Sequence, residues 1–525
     1  MAVPVGVRAS RDGRAWRVRV DTLQDLRALT VASVGVALLT DLEVSVIGCR
    51  SPQDWIGRPG LAHIDRLEVT RSGLRADVRL SLSQPADAAR VLAAVLRMLC
   101  PTNSATDARQ VTLASGLGDA AQPLAQRVHD VTSVERDRHV RRADILVVAH
   151  DSEEALLERE STVVVNETGW TRDGEHFEVC VDPSVHNPIG RPSHGLDRML
   201  TARMREGSLE LGGGLRPRRI HGDVTEKDVA SLSDTRAVVG EVSERLSRQL
   251  AACGIVVLAS ESQAPSSELE WQATSVRERR HALRAYGPWA AMGSWPSVSI
   301  VMSTHRPAHI DHALAQIALL SYPKLEVLIA AHGDEIDVDA LRRTSDGLPH
   351  PVTIIPVDRS RNLGEALQIL CTAASGDLIT KMDDDDYYGP DHIWDLVLAR
   401  EYSGAQVVGK ALDWIHLEAQ GVTVFRPVYP AESYADFVCG GTMLISRGDL
   451  ASVGGWRPVP KSVDRALLDR VIDDGGLVYR THGLGYVYVR RSDGHTATVS
   501  DEHFLKKNVS RVDGLVRHPE FGTLA

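Results

Sequence analysis

Apolar and polar residues alternate along 15–20 (AWRVRV) and 75–82 (RADVRLSL), the period-2 pattern of strands with one face buried. Segment 86–99 (ADAARVLAAVLRML) instead spaces its apolar residues as a helix does, directly after Pro85, a helix start signal. Segments 101–107 and 115–122 are rich in Ser, Gly and Ala and read as loops. Residues 1–130 therefore predict an α+β domain, and no chemical motif falls in it. From 131 to 290, short apolar runs at 144–149, 162–165, 177–181 and 254–259 predict buried strands, while 196–205 and 234–252 predict helices. That alternation predicts an α/β unit of Rossmann-like kind with a largely parallel sheet. The charged stretch 268–286 predicts a linking helix, and 287–296 (GPWAAMGSWP) marks a boundary.

Beyond that boundary the alternation strengthens. Strands are expected at 298–303, 325–330 and 352–357, and helices at 310–320 and 363–374. Segment 377–382 (DLITKM) reads as a strand that runs straight into four aspartates. This third domain spans 296–511, with 512–525 as a C-terminal tail. There is no internal repeat or low-complexity tract.

Composition narrows the function classes. A chain of 525 residues, 43% hydrophobic and 25% charged, is of ordinary globular make-up and long enough to fold without disulfides or metal. Its 59 basic residues against 70 acidic ones leave a net charge of −11. That argues against a general binder of nucleic acid or anionic membrane. The six cysteines are scattered with no C-x-x-C pair, so neither a zinc site nor a disulfide framework is indicated. The N-terminus lacks the apolar core of a signal peptide, and the most apolar stretch, 28–40, is shorter than the roughly 18 residues a membrane span needs. These features predict a cytoplasmic protein with reduced thiols.

The candidate chemistry lies in Asp383, Asp384, Asp385 and Asp386, followed by Tyr387-Tyr388-Gly389-Pro390. Adjacent carboxylates repel one another, and at the C-terminal end of a strand in an open α/β sheet they stand where ligands bind. Strand alternation would put Asp383 and Asp385 on one face, as hard oxygen ligands for Mg²⁺ or Mn²⁺. A solvated acidic turn reads the same way from the run alone. In the middle unit, Asp182, His186 and His194 match no metal spacing, and structural or loop roles are expected for them.

The stretch from 296 to about 505 resembles the family 2 glycosyltransferases, which have the GT-A fold. The likeness is carried by 296–307 (PSVSIVMSTHRP), 322–329 (YPKLEVLI), Asn362-Leu363-Gly364 and Ala374-Ser375-Gly376-Asp377. It continues through the aspartate run, Gly440-Gly441-Thr442, Gly454-Gly455-Trp456 and Ser462-Val463-Asp464-Arg465. The resemblance implies sugar transfer from a nucleotide-diphosphate donor with inversion at the anomeric carbon, assisted by Mn²⁺ or Mg²⁺. It implies Asp464 as the general base, with Asp469 and Asp473 as substitutes; a helix N-cap is the plainer role for Asp464. Asp385 is implied as a metal ligand, with Asp383 facing the donor ribose or sharing the metal and His495 as a third ligand. Asp386 is implied to hold metal-bound water. Thr304, Arg306, Asp334, Asn362, Gly364, Asp383, Asp384, Asp386, Arg490 and Arg491 are implied on the donor side; Gly440, Gly441 and Trp456 on the acceptor side.

One departure stands out. Many members end the second strand with an aspartate pair that reads the nucleoside base, whereas this chain has Ala330-Ala331-His332-Gly333-Asp334. That leaves UDP, GDP, CDP and dTDP all open as donors. Segment 252–260 with the charged helix after it resembles the end of a two-domain (GT-B) glycosyltransferase. The leading expectation is a transferase of surface-polysaccharide or glycoconjugate synthesis, acting on a carbohydrate or lipid-linked acceptor. It would work in the cytoplasm or at the inner face of the membrane, attached there peripherally. A non-catalytic sugar- or nucleotide-binding scaffold is the alternative. A nucleotidyltransferase ranks last, because 303–307 is not the Gly-rich phosphate loop such an enzyme needs.

Overall fold

The computed structural model describes residues 7–33, 36–49, 64–72, 74–99, 109–113, 131–135, 145–147, 163–166, 169–172, 175–183, 185–213, 217–292, 295–473, 475–491 and 500–523. They divide into two units, with the boundary at 295/296 apart from a few short exchanged segments.

Among the described residues the N-terminal unit holds three sheets. In the first, strands Val7–Asp12, Ala15–Val20, Leu38–Val46, Arg75–Asp87 and Ile64–Ser72 lie side by side in that order. All neighbours are antiparallel except the pair Ala15–Val20 and Leu38–Val46. Helix Ala88–Leu99 is buried almost throughout, as its apolar composition demands. A second sheet combines strands between 109 and 177, parallel in the middle and antiparallel at one edge.

The third sheet corrects two expectations. Residues 198–205, expected as part of a helix, form strand Arg198–Arg205. From Leu200 on, inward Leu200, Ala202 and Met204 alternate with exposed Thr201, Arg203 and Arg205, so the period is two. Residues 234–252, expected as one helix, split into strand Thr235–Gly240 and helix Glu244–Ala252. Gly240 adopts φ +129°, outside the helical region, and Ser243 caps the new helix by accepting from Leu246 N. The sheet is mixed rather than largely parallel, because Ser208–Gly212 runs antiparallel to both its neighbours. His186 is buried; its Nδ1 accepts from Asp182 N and its Nε2 donates to Val224 O, bonds that engage both ring nitrogens in structure. Helix Glu268–Tyr286 forms over the expected residues.

The C-terminal unit is built on eight strands and a smaller five-stranded sheet. In chain order these are β1 (Val298–Thr304), β2 (Leu325–His332), β3 (Val352–Val357), β4 (Leu378–Lys381), β5 (Tyr387–Tyr388), β6 (Val407–Lys410), β7 (Trp414–Leu417), β8 (Val422–Phe425), β9 (Ser433–Tyr434), β10 (Leu444–Ser446), β11 (Val478–Thr481), β12 (Tyr486–Arg490) and β13 (Ser510–Asp513). The large sheet runs β3-β2-β1-β4-β10-β6-β11-β9, with β3, β2, β1 and β4 parallel and β10 antiparallel to both neighbours. The smaller sheet runs β5-β12-β7-β8-β13.

Residues of β1 are buried almost without interruption, the mark of a parallel strand covered on both faces. Helices α1 (Ile310–Ala318), α2 (Val338–Ser345) and α3 (Leu363–Ala373) follow β1, β2 and β3, and α4 (Val463–Asp473) follows later. Leu367 and Leu370 of α3 meet Leu467, Leu468 and Val471 of α4 over Val301, Leu328 and Ile379 of the sheet. Burying each such side chain stabilises the fold by about 1.5–3 kcal/mol. Chain order reverses at β1, which lies between β2 and β4, so a crevice opens at the C-terminal ends of these strands. Among the described residues no helix is long and apolar enough to cross a membrane.

Candidate functional site

Thr304 ends β1 and Lys381 ends β4, so both stand at that crevice. The strand stops at Lys381, and the aspartates that follow form a turn. Strand alternation therefore does not govern them, and they point three ways.

Asp383 turns toward Lys381, whose Nζ lies 2.9 Å from Asp383 Oδ1 and 3.3 Å from Asp464 Oδ2. Lys381 is buried. Burial alone would lower its pKa, but the Asp383 and Asp464 carboxylates outweigh burial and raise it. Asp464 comes from the first turn of α4 and keeps a third of its side chain exposed. Its Oδ1 is buried with no hydrogen-bond partner among the described residues. Desolvation raises the Asp464 pKa, Asp383 adds to that, and Lys381 opposes it. Gly440 and Gly441 wrap this pair closely: a Cβ on Gly440 would stand 2.0 Å from Asp464 Oδ2, and one on Gly441 would stand 2.7 Å from Asp383 Oδ2. The buried Tyr388 hydroxyl fastens the same corner, accepting from Asp383 N at 2.8 Å and donating to Gly441 O at 3.0 Å.

Asp384 and Asp385 face the loop after β1. The Thr304 hydroxyl donates to Asp384 Oδ2 at 2.6 Å. Arg306 spans both carboxylates, with Nε on Asp384 Oδ2 at 3.3 Å, Nη2 on Asp384 Oδ1, and Nη1 on Asp385 Oδ2 at 2.8 Å. Arg491 approaches from beyond β12, with Nη2 donating to Asp385 O at 3.3 Å and Nη1 to Glu418 Oε1 at 3.1 Å. His309 Nδ1 lies 4.0 Å from Asp384 Oδ2, buried and without a hydrogen-bond partner among the described residues. Burial lowers the His309 pKa, Arg306 and Arg491 lower it further, and Asp384 and Asp385 oppose them. His309, Asp384 and Asp385 each offer one atom within 4.8 Å of the others. The two carboxylates are the hard oxygen donors that Mn²⁺ or Mg²⁺ takes, and the imidazole stands beside them as a candidate third ligand.

Asp386 is buried and faces away from the crevice. It accepts from the Tyr486 hydroxyl at 2.6 Å and from Val489 N at 2.8 Å, tying the turn to β12. Burial and the neighbouring Asp383 and Asp385 charges raise its pKa well above the usual carboxylate range.

The remaining residues named from the sequence are placed as follows. Asn362 caps α3: its Oδ1 accepts from Glu365 N at 3.1 Å, and Glu365 Oε2 accepts from Asn362 N at 3.0 Å. A Cβ on Gly364 would stand 1.9 Å from Arg457 O, so only glycine fits that packing. Asp334 is exposed in the turn after β2, and His332 donates through Nε2 to Arg361 O at 2.9 Å. Trp456 is buried in the core between α3 and α4. Arg490 Nε lies 3.6 Å from Asp501 Oδ1. His495 lies outside the described residues.

His309 was not singled out from the sequence. The only local signal for it is Pro307, which opens a short 3₁₀ turn that folds the loop back over the aspartates. The roles of Tyr388 and Tyr486 were also unreadable, since each acts through a partner distant in sequence.

An α/β unit with carboxylates gathered at the switch point of a parallel sheet places those groups where folds of this kind bind ligands. Residues 299–418 match the family model described as Glycosyl transferase family 2. That segment runs from β1 through the aspartate turn to the end of β7, so the first half of the C-terminal unit is similar to these glycosyltransferases, and its α/β arrangement is of the GT-A kind. Among curated proteins, the chain is 28% identical over 141 residues to the succinoglycan biosynthesis protein ExoO of Rhizobium meliloti (strain 1021). The aligned part is 26% of this chain and spans 38% of that relative's length. Among solved structures, TarS 1–349 of S. aureus in complex with UDP-GlcNAc is similar with 14% identity and TM-score 0.32, over 40% of this chain and 63% of that one. The mannosyltransferase PcManGT of Pyrobaculum calidifontis, in complex with GDP-Man and Mn²⁺, is similar with 16% identity and TM-score 0.30, over 39% and 59%.

Proposed function

We propose that this protein is an inverting, metal-dependent glycosyltransferase that moves a sugar from a nucleotide-diphosphate donor to an acceptor hydroxyl. The observation that carries the reading is Asp464, held by Lys381 beside Asp383 at the sheet's switch point, one oxygen buried and without a partner among the described residues. The acceptor oxygen attacks the anomeric carbon while Asp464 takes the hydroxyl proton. The bond from that carbon to the diphosphate oxygen breaks, and the nucleoside diphosphate leaves with the electron pair. A raised pKa makes Asp464 a stronger base than an exposed carboxylate.

Asp385, with Asp384 and His309, would hold Mn²⁺ or Mg²⁺. Such an ion, when bound, neutralises charge on the diphosphate leaving group. Asp383 is assigned to the donor ribose. Arg306 and Arg491 supply guanidinium groups suited to phosphate oxygens. Gly440 and Gly441 line the acceptor side, where the absence of a side chain leaves Asp464 free to meet the hydroxyl. Asn362 and Gly364 serve by setting the start of α3.

The relative named for succinoglycan biosynthesis supports a place in polysaccharide synthesis, and we assign a growing carbohydrate or a lipid-linked molecule as the acceptor. The test is calorimetric titration of the full chain with UDP, GDP, CDP and dTDP, each with and without Mn²⁺. One nucleotide is expected to bind in a metal-dependent manner to wild type and to Asp464→Asn, and to lose that dependence in Asp385→Asn. No metal-dependent binding of any nucleotide would sink the proposal.

A further inference from the structure

Arg306 forms the same kind of contact with Asp384 and Asp385 that a divalent cation would make. Its guanidinium takes both Asp384 oxygens and Asp385 Oδ2. The carboxylates are rigidly placed: Asp384 is 3% exposed and held by Thr304, and Asp385 is 15% exposed. Arg306 is the more accessible partner at 29% exposed, on a loop between β1 and α1. A guanidinium carries one positive charge against the two carboxylates, whereas Mn²⁺ or Mg²⁺ carries two and requires the same oxygen lone pairs.

We propose that Arg306 is an exchangeable counter-cation. It competes with the divalent ion for Asp384 and Asp385, and on being displaced it turns its fork onto the donor diphosphate. This rests on the metal-dependent transferase reading above. The local electrostatics favour the exchange. Displacement leaves a guanidinium without its carboxylates, beside Arg491, and the net positive charge so created recruits a diphosphate anion. His309 Nδ1, buried and without a hydrogen-bond partner among the described residues, stands 4.0 Å from Asp384 Oδ2, where an ion bound to Asp384 could also reach it. Metal and nucleotide are thereby coupled: the metal site closes fully only when a diphosphate accepts Arg306, and either ligand strengthens the other by the same factor.

The test reads Mn²⁺ binding by the electron paramagnetic resonance signal of free Mn²⁺, on the full chain, without nucleotide. Arg306→Gln is expected to bind Mn²⁺ about tenfold more tightly than wild type, because a charge-assisted contact no longer has to be broken. In saturating Mn²⁺, the same variant is expected to bind the cognate nucleoside diphosphate about tenfold more weakly. Arg306→Lys keeps the charge but not the fork, and is expected to fall between the two on both measurements. It serves as the reading should Arg306→Gln fail to fold. Equal or weaker Mn²⁺ binding by Arg306→Gln, with Asp385→Asn still abolishing it, would overturn the exchange and leave the transferase reading standing. Absence of Mn²⁺ binding by wild type and both variants, with and without nucleotide, would overturn the metal-dependent reading and the exchange together.

Discussion

Lys381 Nζ lies 3.3 Å from Asp464 Oδ2, so the last residue of β4 holds the first-turn carboxylate of α4. This buried ammonium is the counter-charge shared by two neighbouring carboxylates. Replacing it by methionine leaves Asp383 and Asp464 facing each other without a counter-charge. Because both carboxylates are about one-third exposed, the loss is expected below the roughly 3–5 kcal/mol of a fully buried broken pair, at about 2 kcal/mol. Lys381 opposes the upward shift of Asp464, so its removal raises that pKa further. The acidic limb of the pH–rate profile of Lys381→Met should therefore move to higher pH. An unmoved limb would show that Asp464 is not the group titrating in catalysis.

A methyl group on Gly440 would meet Asp464 Oδ2 at 2.0 Å and Cγ at 2.6 Å. The obstructed atoms are the free end of a side chain, which can rotate away. Gly440→Ala is thus expected to fold with a melting temperature close to wild type, while turnover falls about 100-fold through displacement of the base. Nucleotide binding should be preserved. A large loss of stability with unchanged turnover would contradict this arrangement.

Asn362 engages its side-chain oxygen in the cap of α3. Asn362→Ala should cost about 1 kcal/mol of stability, measured by denaturant unfolding. Asp caps as well as Asn, so Asn362→Asp should restore stability and near-wild-type donor KM. A raised KM in a fully stable Asn362→Asp would instead establish a contact with the donor.

Asp413, buried between β6 and β7, has its pKa pushed up to about 7 by burial, against the pull of Gly483 N–H, Arg480 and Lys410. Between the ordinary carboxylate value of 3.8 and about 7, the folded state binds more protons here than the unfolded chain. Stability from this group therefore falls as pH rises through that window and stays reduced above it. Asp413→Asn removes the charge. It should stabilise the protein by about 1–3 kcal/mol at pH 8 and change little at pH 4, as thermal unfolding at the two pH values would show.

The sheet of the C-terminal unit was legible because its strands are continuous apolar runs bounded by turn residues, and β1, β2 and β3 form where those runs stand. Periodicity misled at 198–205 and 235–240. There Met, Leu, Ala and Arg suit a helix locally, but neighbouring strands offer hydrogen bonds that only an extended chain can use. The aspartate run was legible as a cluster, and its division was not.

The sequence by itself determined that four carboxylates follow an apolar strand and that an aspartate opens a later helix, since local pattern and motif order carry that information. Tertiary structure alone decided which carboxylate does what. Asp383 goes to Lys381 and Asp464, Asp384 and Asp385 go to Arg306 and His309, and Asp386 goes to Tyr486. The physical reason is that identical side chains differ only in their surroundings. Those surroundings are supplied by residues about 80 to 100 positions away in sequence, brought within hydrogen-bond reach when the sheet closes.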